Sequence, residues 1–173
     1  MRLLESFDKK DYDLCTGYFK RTAVRAIIFK DHKLAMIQSL KFQEYKFPGG
    51  GILDGEPMIE ALIRETKEET GLLINKDSIK PYGYMIEKRK SILNPNDVFE
   101  MDSYYYLCEI FDEIHQPNMD DYEIEYGYQL KFVSLDEAII NNQKQLIHQH
   151  IATWIERELK VLEILKKEFY DTI

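Results

Sequence analysis

Three glutamates on one predicted helix are the residues of this sequence most suited to chemistry. Glu65, Glu68 and Glu69 fall within about a 100° arc of a helix, since each residue turns the chain by about 100°. Like charges so close repel each other, and only Glu68 has an obvious helical partner, Arg64, four residues earlier. A hard cation such as Mg²⁺ removes this repulsion because it prefers oxygen ligands, water and phosphate. The cluster favours a magnesium site, although a solvated acidic helix face has the same pattern.

The helix that carries these glutamates is predicted from about Pro57 to Thr70. Pro57 suits a first helical position, and Gly71 suits a C-terminal cap. A neighbouring arc of the same helix can pack on a sheet and hold the helix rigid; it contains Ile59, Leu62, Ile63, Thr66 and Thr70.

Residues 50–72, GGILDGEPMIEALIRETKEETGL, resemble the Nudix box. That pattern is Gly, five residues, Glu, seven residues, and then Arg-Glu-U-x-Glu-Glu-x-Gly-U, where U is aliphatic. The matching residues are Gly50, Glu56, Arg64, Glu65, Glu68, Glu69, Gly71 and Leu72, whereas Thr66 occupies an aliphatic position. The preceding Phe47-Pro48-Gly49 is similar to the usual lead-in, and residues 123–138 resemble the family's late strand and following helix.

The resemblance implies the Nudix fold, a mixed sheet sandwiched between helices. It also implies that Mg²⁺, with Mn²⁺ as a possible substitute, is bound by the three glutamates and the Gly49 carbonyl. Structural support for this site would come from the remaining box residues, Gly50, Glu56, Arg64 and Gly71. A metal held in this way neutralises phosphate oxygens and activates a water for in-line attack.

The general base is open among several glutamates. Some family members use a box glutamate, and others use a glutamate on a later loop. The later candidates here are Glu123 and Glu125. An acidic surface loop is an equally good interpretation of both.

Basic and aromatic residues outside the box are candidates for substrate binding. Arg21, Arg25 and Lys46, and also Lys41, are placed to contact phosphates from the first strands, although solvated surface charges fit as well. Tyr82 is one of several tyrosines, with Tyr84, Tyr104, Tyr105 and Tyr106, that could stack on a base. Because neighbours in a strand alternate between faces, about half of these tyrosines are expected in the core.

The order of elements indicates an α/β or α+β fold with a mixed sheet and a long C-terminal helix. We expect an N-terminal arm or edge strand over residues 1–19, a Nudix domain over 20–142, and a C-terminal helix over 143–173. The predicted strands cover 20–30, 33–40, 79–92, 99–111 and 128–134, and a short helix covers about 135–142. The C-terminal segment reads as one long helix or two, with an apolar stripe of Ile147, Ile151, Trp154, Ile155, Leu162, Leu165 and Phe169.

Composition excludes several classes of function. A net charge of −8 argues against binding a nucleic-acid polymer, which requires excess Lys and Arg. Cys15 and Cys108 have no paired spacing, so a disulfide framework or zinc site is not expected, and a cytoplasmic protein is favoured. No apolar run approaches the ~18 residues of a membrane span.

The leading hypothesis is a magnesium-dependent hydrolase that cuts a diphosphate linkage in a nucleoside diphosphate derivative or a nucleoside triphosphate. One alternative is a nucleotide-binding or regulatory module of the same fold without turnover, and another is an isomerase acting on a prenyl diphosphate. The expected partner is a small nucleotide-like molecule. The apolar C-terminal helix could close the chain's own core or pack on a second copy in a homodimer.

Overall fold

A computed structural model describes residues 1–169 of the chain. Its strands are β1 (Arg2–Asp8), β2 (Gly17–Lys30), β3 (Lys33–Gln38), β4 (Tyr45–Lys46), β5 (Leu72–Ile74), β6 (Lys80–Lys90), β7 (Asp97–Cys108), β8 (Ile110–Ile114) and β9 (Gln129–Val133). Its helices are α1 (Met58–Thr70), α2 (Asp121–Tyr126), α3 (Leu135–Gln145) and α4 (Trp154–Phe169). Residues 170–173 of the predicted C-terminal helix lie outside the described part.

Most strands belong to one mixed sheet in the order β1-β6-β7-β2-β3-β4, and β9 also pairs with β3. β1 runs parallel to β6, and β2 runs parallel to β7. The β6–β7, β2–β3 and β3–β9 pairs are antiparallel. β5 and β8 form a separate two-stranded sheet. The predicted α+β class with a mixed sheet is confirmed.

Two apolar cores lie on opposite faces of β2. Ile27 contributes to a core that contains apolar side chains of α3 and α4, whereas Ala26 and Ile28 belong to a core with Ala61 and Leu62 of α1. Successive side chains of a strand point to opposite faces, so one strand supplies both cores. Helices therefore cover both faces of the sheet, as in an α/β/α sandwich.

Two long predicted strands, over 20–30 and 33–40, form the expected hairpin. Asp31 and His32 at its tip have φ angles of 50° and 61°. The sequence did not predict the strand Leu72–Ile74 or the helix Asp121–Tyr126. The predicted strand over 99–111 reaches only the first two residues of Ile110–Ile114, which is a separate strand. These segments of 3, 5 and 6 residues are too short for periodicity to mark them.

The C-terminal helices differ from their predicted bounds. α3 continues to Gln145, a single 3₁₀ turn follows at Leu146–His148, and α4 begins only at Trp154. Ile147 and Ile151, which were assigned to the apolar stripe, are therefore exposed. Ile155, Leu162 and Leu165 of the stripe are buried in the chain's own core, and Trp154 is partly buried. Phe169 is 42% exposed. Among residues 1–169, no helix combines the length and apolarity needed to cross a membrane.

Candidate active site

Residues 48–51, the glycine segment, precede α1 and lie along the edge of β2. The Val24 amide donates to the Gly50 carbonyl at 2.9 Å, and the Ala26 amide donates to the Pro48 carbonyl at 2.8 Å. Gly49 has a φ of +135°, and a Cβ there would lie 2.0 Å from the Val24 carbonyl oxygen. A side chain at position 49 is excluded by both backbone angle and space. The segment is thus held against the sheet with no side chain between the Gly49 backbone and β2.

The last turn of α1 reaches this segment through Glu69. Its carboxylate is 1% exposed, and it accepts hydrogen bonds from the Gly49 amide at 2.7 Å and from Lys46 Nζ at 2.6 Å. Burial raises the pKa of Glu69 to about 7, and the charge of Lys46 opposes this shift. α1 ends directly afterwards, since Gly71 has a left-handed φ of 74° and its amide donates to the Lys67 carbonyl.

Glu65 and Glu68 form a second group around Arg64. One guanidinium nitrogen of Arg64, Nη1, donates to Glu65 at 2.7 Å and to Glu68 at 3.0 Å. Glu65 also lies directly over Gly50, because a Cβ at Gly50 would be 2.1 Å from Glu65 Oε2. Burial raises the pKa of the Glu65 carboxyl, while Arg64 opposes the shift.

Glu56 completes the contacts of Arg64. Arg64 Nε and Nη2 donate to the two Glu56 oxygens at 2.7 and 2.8 Å. The same carboxylate accepts a hydrogen bond from the Leu53 amide at 3.0 Å, just before α1. Hydrogen bonds from Arg64 lower the pKa of Glu56 to about 2. Glu56 and Arg64 thus connect the N-terminal end of α1 to the carboxylates of Glu65 and Glu68.

Two arginines of β2 face the glycine segment. Arg25 is 8% exposed, and its Nη1 donates to the Gly49 carbonyl oxygen. The guanidinium of Arg21 lies beside Gly51, where a Cβ would be 2.8 Å from Nη2. The structure therefore brings both predicted phosphate contacts to the same short stretch of backbone.

The two later glutamates differ in environment. Glu123 of α2 is 4% exposed; it accepts hydrogen bonds from the Asp120 amide at 2.8 Å and the Tyr122 hydroxyl at 3.0 Å. Burial raises the pKa of Tyr122, and the charges of Lys46, Glu123 and Glu69 also act on that phenol. The Tyr122 ring lies 6.4 Å from the ring of Tyr128, and Lys46 lies over Tyr128. Two tyrosines thus connect Glu123 to the buried Lys46–Glu69 pair. Glu125 has a side chain that is 69% exposed, and it pairs with Lys41.

Lys46 and Tyr82, both predicted to bind substrate, lie in different surroundings. Lys46 Nζ lies 4.2 Å from the centroid of the Tyr128 ring and beside Glu69. The Tyr82 hydroxyl donates to Glu168 of α4 at 2.7 Å, and Arg2 of β1 stacks on its ring. The contacts of Tyr82 are thus with β1 and α4 rather than with the glycine segment.

Three polar contacts that the sequence did not predict hold the residues leading into the glycine segment. Trp154 Nε1 donates to Glu44 at 2.9 Å. Asn142 accepts from the Tyr45 amide and donates to the Tyr45 carbonyl, both at 2.8 Å. Glu158 accepts from the Phe47 amide at 2.9 Å. Each contact joins residues about a hundred positions apart, so no local pattern could reveal it.

The donor chemistry of the site fits a hard divalent cation. The Gly49 carbonyl and the three box carboxylates supply only oxygen, as Mg²⁺ prefers. Glu65 lies where the missing side chain of Gly50 leaves room. Basic side chains already bind these oxygen ligands. Arg25 binds the Gly49 carbonyl, and Lys46 binds Glu69. Arg64 binds Glu65 and Glu68. Accordingly, residues 1–169 contain no convergent group of three acidic, His or Cys side chains that could hold an ion.

A family model described as the NUDIX domain matches residues 19–156. The chain belongs to the Nudix family. The match extends far beyond the box, from the start of β2 into α4. The family predicted from residues 50–72 is thereby confirmed, and with it, at the level of the family, the predicted class of Nudix hydrolase.

Solved structures confirm the fold of this Nudix protein. A Nudix hydrolase from Nitrosomonas europaea superposes with a TM-score of 0.56 at 19% identity, covering 72% of this chain and 79% of that chain. A MutT Nudix hydrolase from Burkholderia pseudomallei gives a TM-score of 0.51 at 20% identity, covering 68% and 85%. No curated protein matched this chain in sequence.

Proposed function

We propose that this Nudix protein is a magnesium-dependent pyrophosphohydrolase that cleaves the diphosphate linkage of a nucleoside diphosphate derivative or a nucleoside triphosphate. One observation carries the proposal: Glu65 and Glu69 of α1 and Arg25 of β2 all meet the backbone of Gly49 and Gly50. Acidic groups able to bind a cation thus adjoin basic groups able to bind phosphate.

The metal-binding residues in this proposal are Glu65, Glu68, Glu69 and the Gly49 carbonyl oxygen. When bound, Mg²⁺, or Mn²⁺ in its place, neutralises phosphate oxygens and lowers the pKa of a coordinated water. Arg25, Lys46 and Arg64 now hold these donors, so they must release them to the ion. The released Arg25 and Lys46 are then free to bind the negative charge of the substrate, and Arg21 lies beside them at Gly51.

Glu123 is the general base in this proposal. It is buried beside Tyr122, whose ring packs on that of Tyr128 next to Lys46. Glu125 instead projects to solvent and pairs with Lys41. A carboxylate near the cation site can accept the proton of the attacking water. Gly50, Glu56, Arg64 and Gly71 keep a supporting role, because they shape the glycine segment and both ends of α1.

A substrate panel with product identification tests the proposal. Nucleoside triphosphates and nucleoside diphosphates linked to sugars or other groups are incubated with Mg²⁺ in ¹⁸O-labelled water. We expect a monophosphate and a second phosphate-containing product, with label on phosphorus. Chelation by EDTA and Glu68→Gln should each abolish turnover. Glu60→Gln is the matched control, since Glu60 lies on the same helix but pairs at the surface with Lys76.

A nucleotide-binding module is the alternative function. It predicts tight binding of one compound, measured by calorimetry, with no product even at high enzyme concentration. The retained set of Glu65, Glu68 and Glu69 favours turnover, because binding alone needs no complete set of metal ligands. The third hypothesis, a prenyl diphosphate isomerase, has no support, since Cys108 is buried and the pKa of its thiol is raised by burial to about 12.

We place this activity in the cytoplasm, on the ground that Cys15 and Cys108 are both unpaired. The proposed partner is the small nucleotide-like substrate and not a nucleic-acid polymer, in view of the net charge of −8. A homodimer remains a proposal, and Ile155, Leu162 and Leu165 of the apolar stripe could not contribute to it, because they are buried inside the chain. Sedimentation measures the oligomeric state directly.

A further inference from the structure

A buried ion-pair chain connects α4 to the entry of the glycine segment. Glu158 is fully buried, and Arg157 and Glu87 are 1% and 7% exposed. Arg157 donates to Glu158 Oε1 through Nη2 at 2.5 Å and through Nε at 3.1 Å. Its Nη1 donates to Glu87 of β6 at 2.6 Å. The other oxygen of Glu158, Oε2, is left for the Phe47 amide at 2.9 Å.

This arrangement is costly as a device for stability alone. Taking charges out of water requires a large desolvation free energy, and well-packed apolar groups of similar volume stabilise a core as well or better. A backbone amide could also be satisfied by a neutral acceptor. A buried charged acceptor instead gives a shorter and stronger hydrogen bond with a defined direction. This free energy of desolvation is consistent with a role for Glu158 in placing the Phe47 amide.

The Phe47 amide is a sensitive point for placing the site. Pro48 follows and has no amide proton, and its carbonyl already accepts from Ala26. The next amide, that of Gly49, donates to Glu69. Phe47 is thus the last residue fixed from the α4 side before the chain passes to the carboxylates of α1. Lys46, which precedes it, holds the other oxygen of Glu69.

We propose that Glu158 is a positioning residue for the active site. Its carboxylate fixes the Phe47 amide and thereby the placement of Gly49 and Lys46, while Arg157 and Glu87 fix the carboxylate. Glu158 touches neither substrate nor metal. The role in catalysis rests on the proposed function, whereas the hold on the Phe47 amide does not depend on it.

Amide exchange and kinetics of Glu158→Leu and Glu158→Gln test this proposal. NMR in the presence of EDTA measures exchange at the Phe47 and Gly49 amides without any ion. A hydrogen bond to a charged group corresponds to roughly a 10- to 100-fold change in the opening equilibrium. We expect Phe47 exchange to accelerate by that factor in Glu158→Leu. Glu158→Gln should lie between this variant and the wild type, because one amide oxygen cannot serve both Phe47 and Arg157.

Turnover is measured at saturating Mg²⁺ and substrate with Leu162→Ala as the control. Leu162 is a fully buried core residue on the same helix. It shares a core with the Phe47 ring but does not accept the hydrogen bond of the Phe47 amide. Misplacing the glycine segment should lower kcat about 100-fold in Glu158→Leu, with KM little changed. In Leu162→Ala, exchange at the Phe47 and Gly49 amides should accelerate only as far as the loss of global stability explains, and kcat should be unchanged. If Glu158→Leu does not fold, Glu158→Gln supplies both measurements.

Two results would overturn the proposal. One is exchange at Phe47 and Gly49 that accelerates no more in the Glu158 variants than in Leu162→Ala. The other is faster exchange with a kcat equal to that of Leu162→Ala. If the wild type turns over no compound, the proposed function fails, and the exchange result alone decides whether Glu158 holds this segment.

Discussion

The Glu69 carboxylate accepts a hydrogen bond from the Gly49 amide at 2.7 Å, which joins the end of α1 to the glycine segment. Lys46 occupies the other oxygen of the same carboxylate at 2.6 Å. The helical pattern gave Glu69 no partner, because a helix shows only neighbours three or four residues away. Glu69 is instead one half of a buried pair between an α-helix and a strand.

This relationship predicts measurable coupling between Lys46 and Glu69. A double-mutant cycle with Lys46→Met and Glu69→Gln, in EDTA at pH 8, should give a favourable coupling free energy of about 1–3 kcal/mol. At that pH the carboxylate, with a pKa of about 7, is mostly ionised. Chemical denaturation provides the four stabilities. The exposed pair between Glu60 of the same helix and Lys76 is the control and should give less than about 1 kcal/mol. Equal coupling in both cycles would contradict a buried Lys46–Glu69 pair.

The two glutamates near α2 should differ sharply in their effect on turnover. Glu123→Gln is expected to lower kcat by about 10²- to 10⁴-fold, the range for loss of a general base. Glu125→Gln should leave kcat unchanged, because its side chain is exposed and pairs with Lys41. Steady-state kinetics measures both variants.

The stability of both variants must be measured as well as kcat. Glu123 also accepts a hydrogen bond from the Asp120 amide at the start of α2, so its loss could destabilise the protein. Loss of such a cap costs about 1 kcal/mol. A fall in kcat that disappears after correction for the unfolded fraction, or an equal fall in both variants, would remove Glu123 as the base.

Glu56 should make stability depend on pH in the acid range. Arg64 lowers its folded-state pKa to about 2 from the usual 4.5. The pair therefore contributes fully above pH 4.5, and its contribution is lost as the pH falls from 4.5 towards 2. Since the pair is partly open to solvent, the contribution should be about 1 kcal/mol.

Urea denaturation of wild type and Glu56→Gln at several pH values between 7 and 3 tests this expectation. The wild type should be the more stable at pH 7, and the difference should shrink below pH 4.5. A difference that stays constant over this range would show that Glu56 acts through shape rather than through its charge.

Thr66, the departure from the box pattern, should be improved by an apolar replacement. It is fully buried, and its hydroxyl has no hydrogen-bond partner among the described residues. A buried hydroxyl without a partner costs about 1–3 kcal/mol. Thr66→Val should therefore raise the free energy of unfolding by about 1 kcal/mol without changing kcat.

Thr70→Val on the same helix is the matched comparison. The Thr70 hydroxyl donates to the Thr66 carbonyl at 2.5 Å and accepts from the Leu72 amide at 3.1 Å. Its removal should lower stability by about 1 kcal/mol. Thermal melts of both variants should move in opposite directions, and a loss of stability in Thr66→Val would show that its hydroxyl is satisfied.

The parts of the site that the sequence predicted are local ones. α1, its Gly71 cap and the alignment of Arg64 with Glu68 follow from helical spacing within fourteen residues or fewer. The need for glycine at position 49 is not local, because the Val24 carbonyl of β2 fills the space of a side chain there. The sequence could not show that Arg25 and Lys46 hold two of the predicted metal ligands, because both residues lie on other elements.

In the rest of the fold, too, the sequence predicted local features and missed those that depend on contacts between distant elements. Long strands such as β2 and β7 have enough apolar residues to be recognised, whereas β5 is three residues long. The exposed Ile147 and Ile151 were misplaced because an apolar spacing continues across the turn between α3 and α4. Tyr82 reads like any other strand tyrosine, and only the pairing of β6 with β1 shows that its neighbours are Arg2 and Glu168.

The strand β1 has a consequence for the handling of the protein. It covers the outer side of β6 in register from Arg2 opposite Gly83 to Asp8 opposite Lys88. A shortened chain that starts after residue 9 would present that row of amides and carbonyls to solvent, where strands of other molecules can add to it. Such a truncation should therefore form fibrils or soluble aggregates during concentration, even though the glycine segment is untouched.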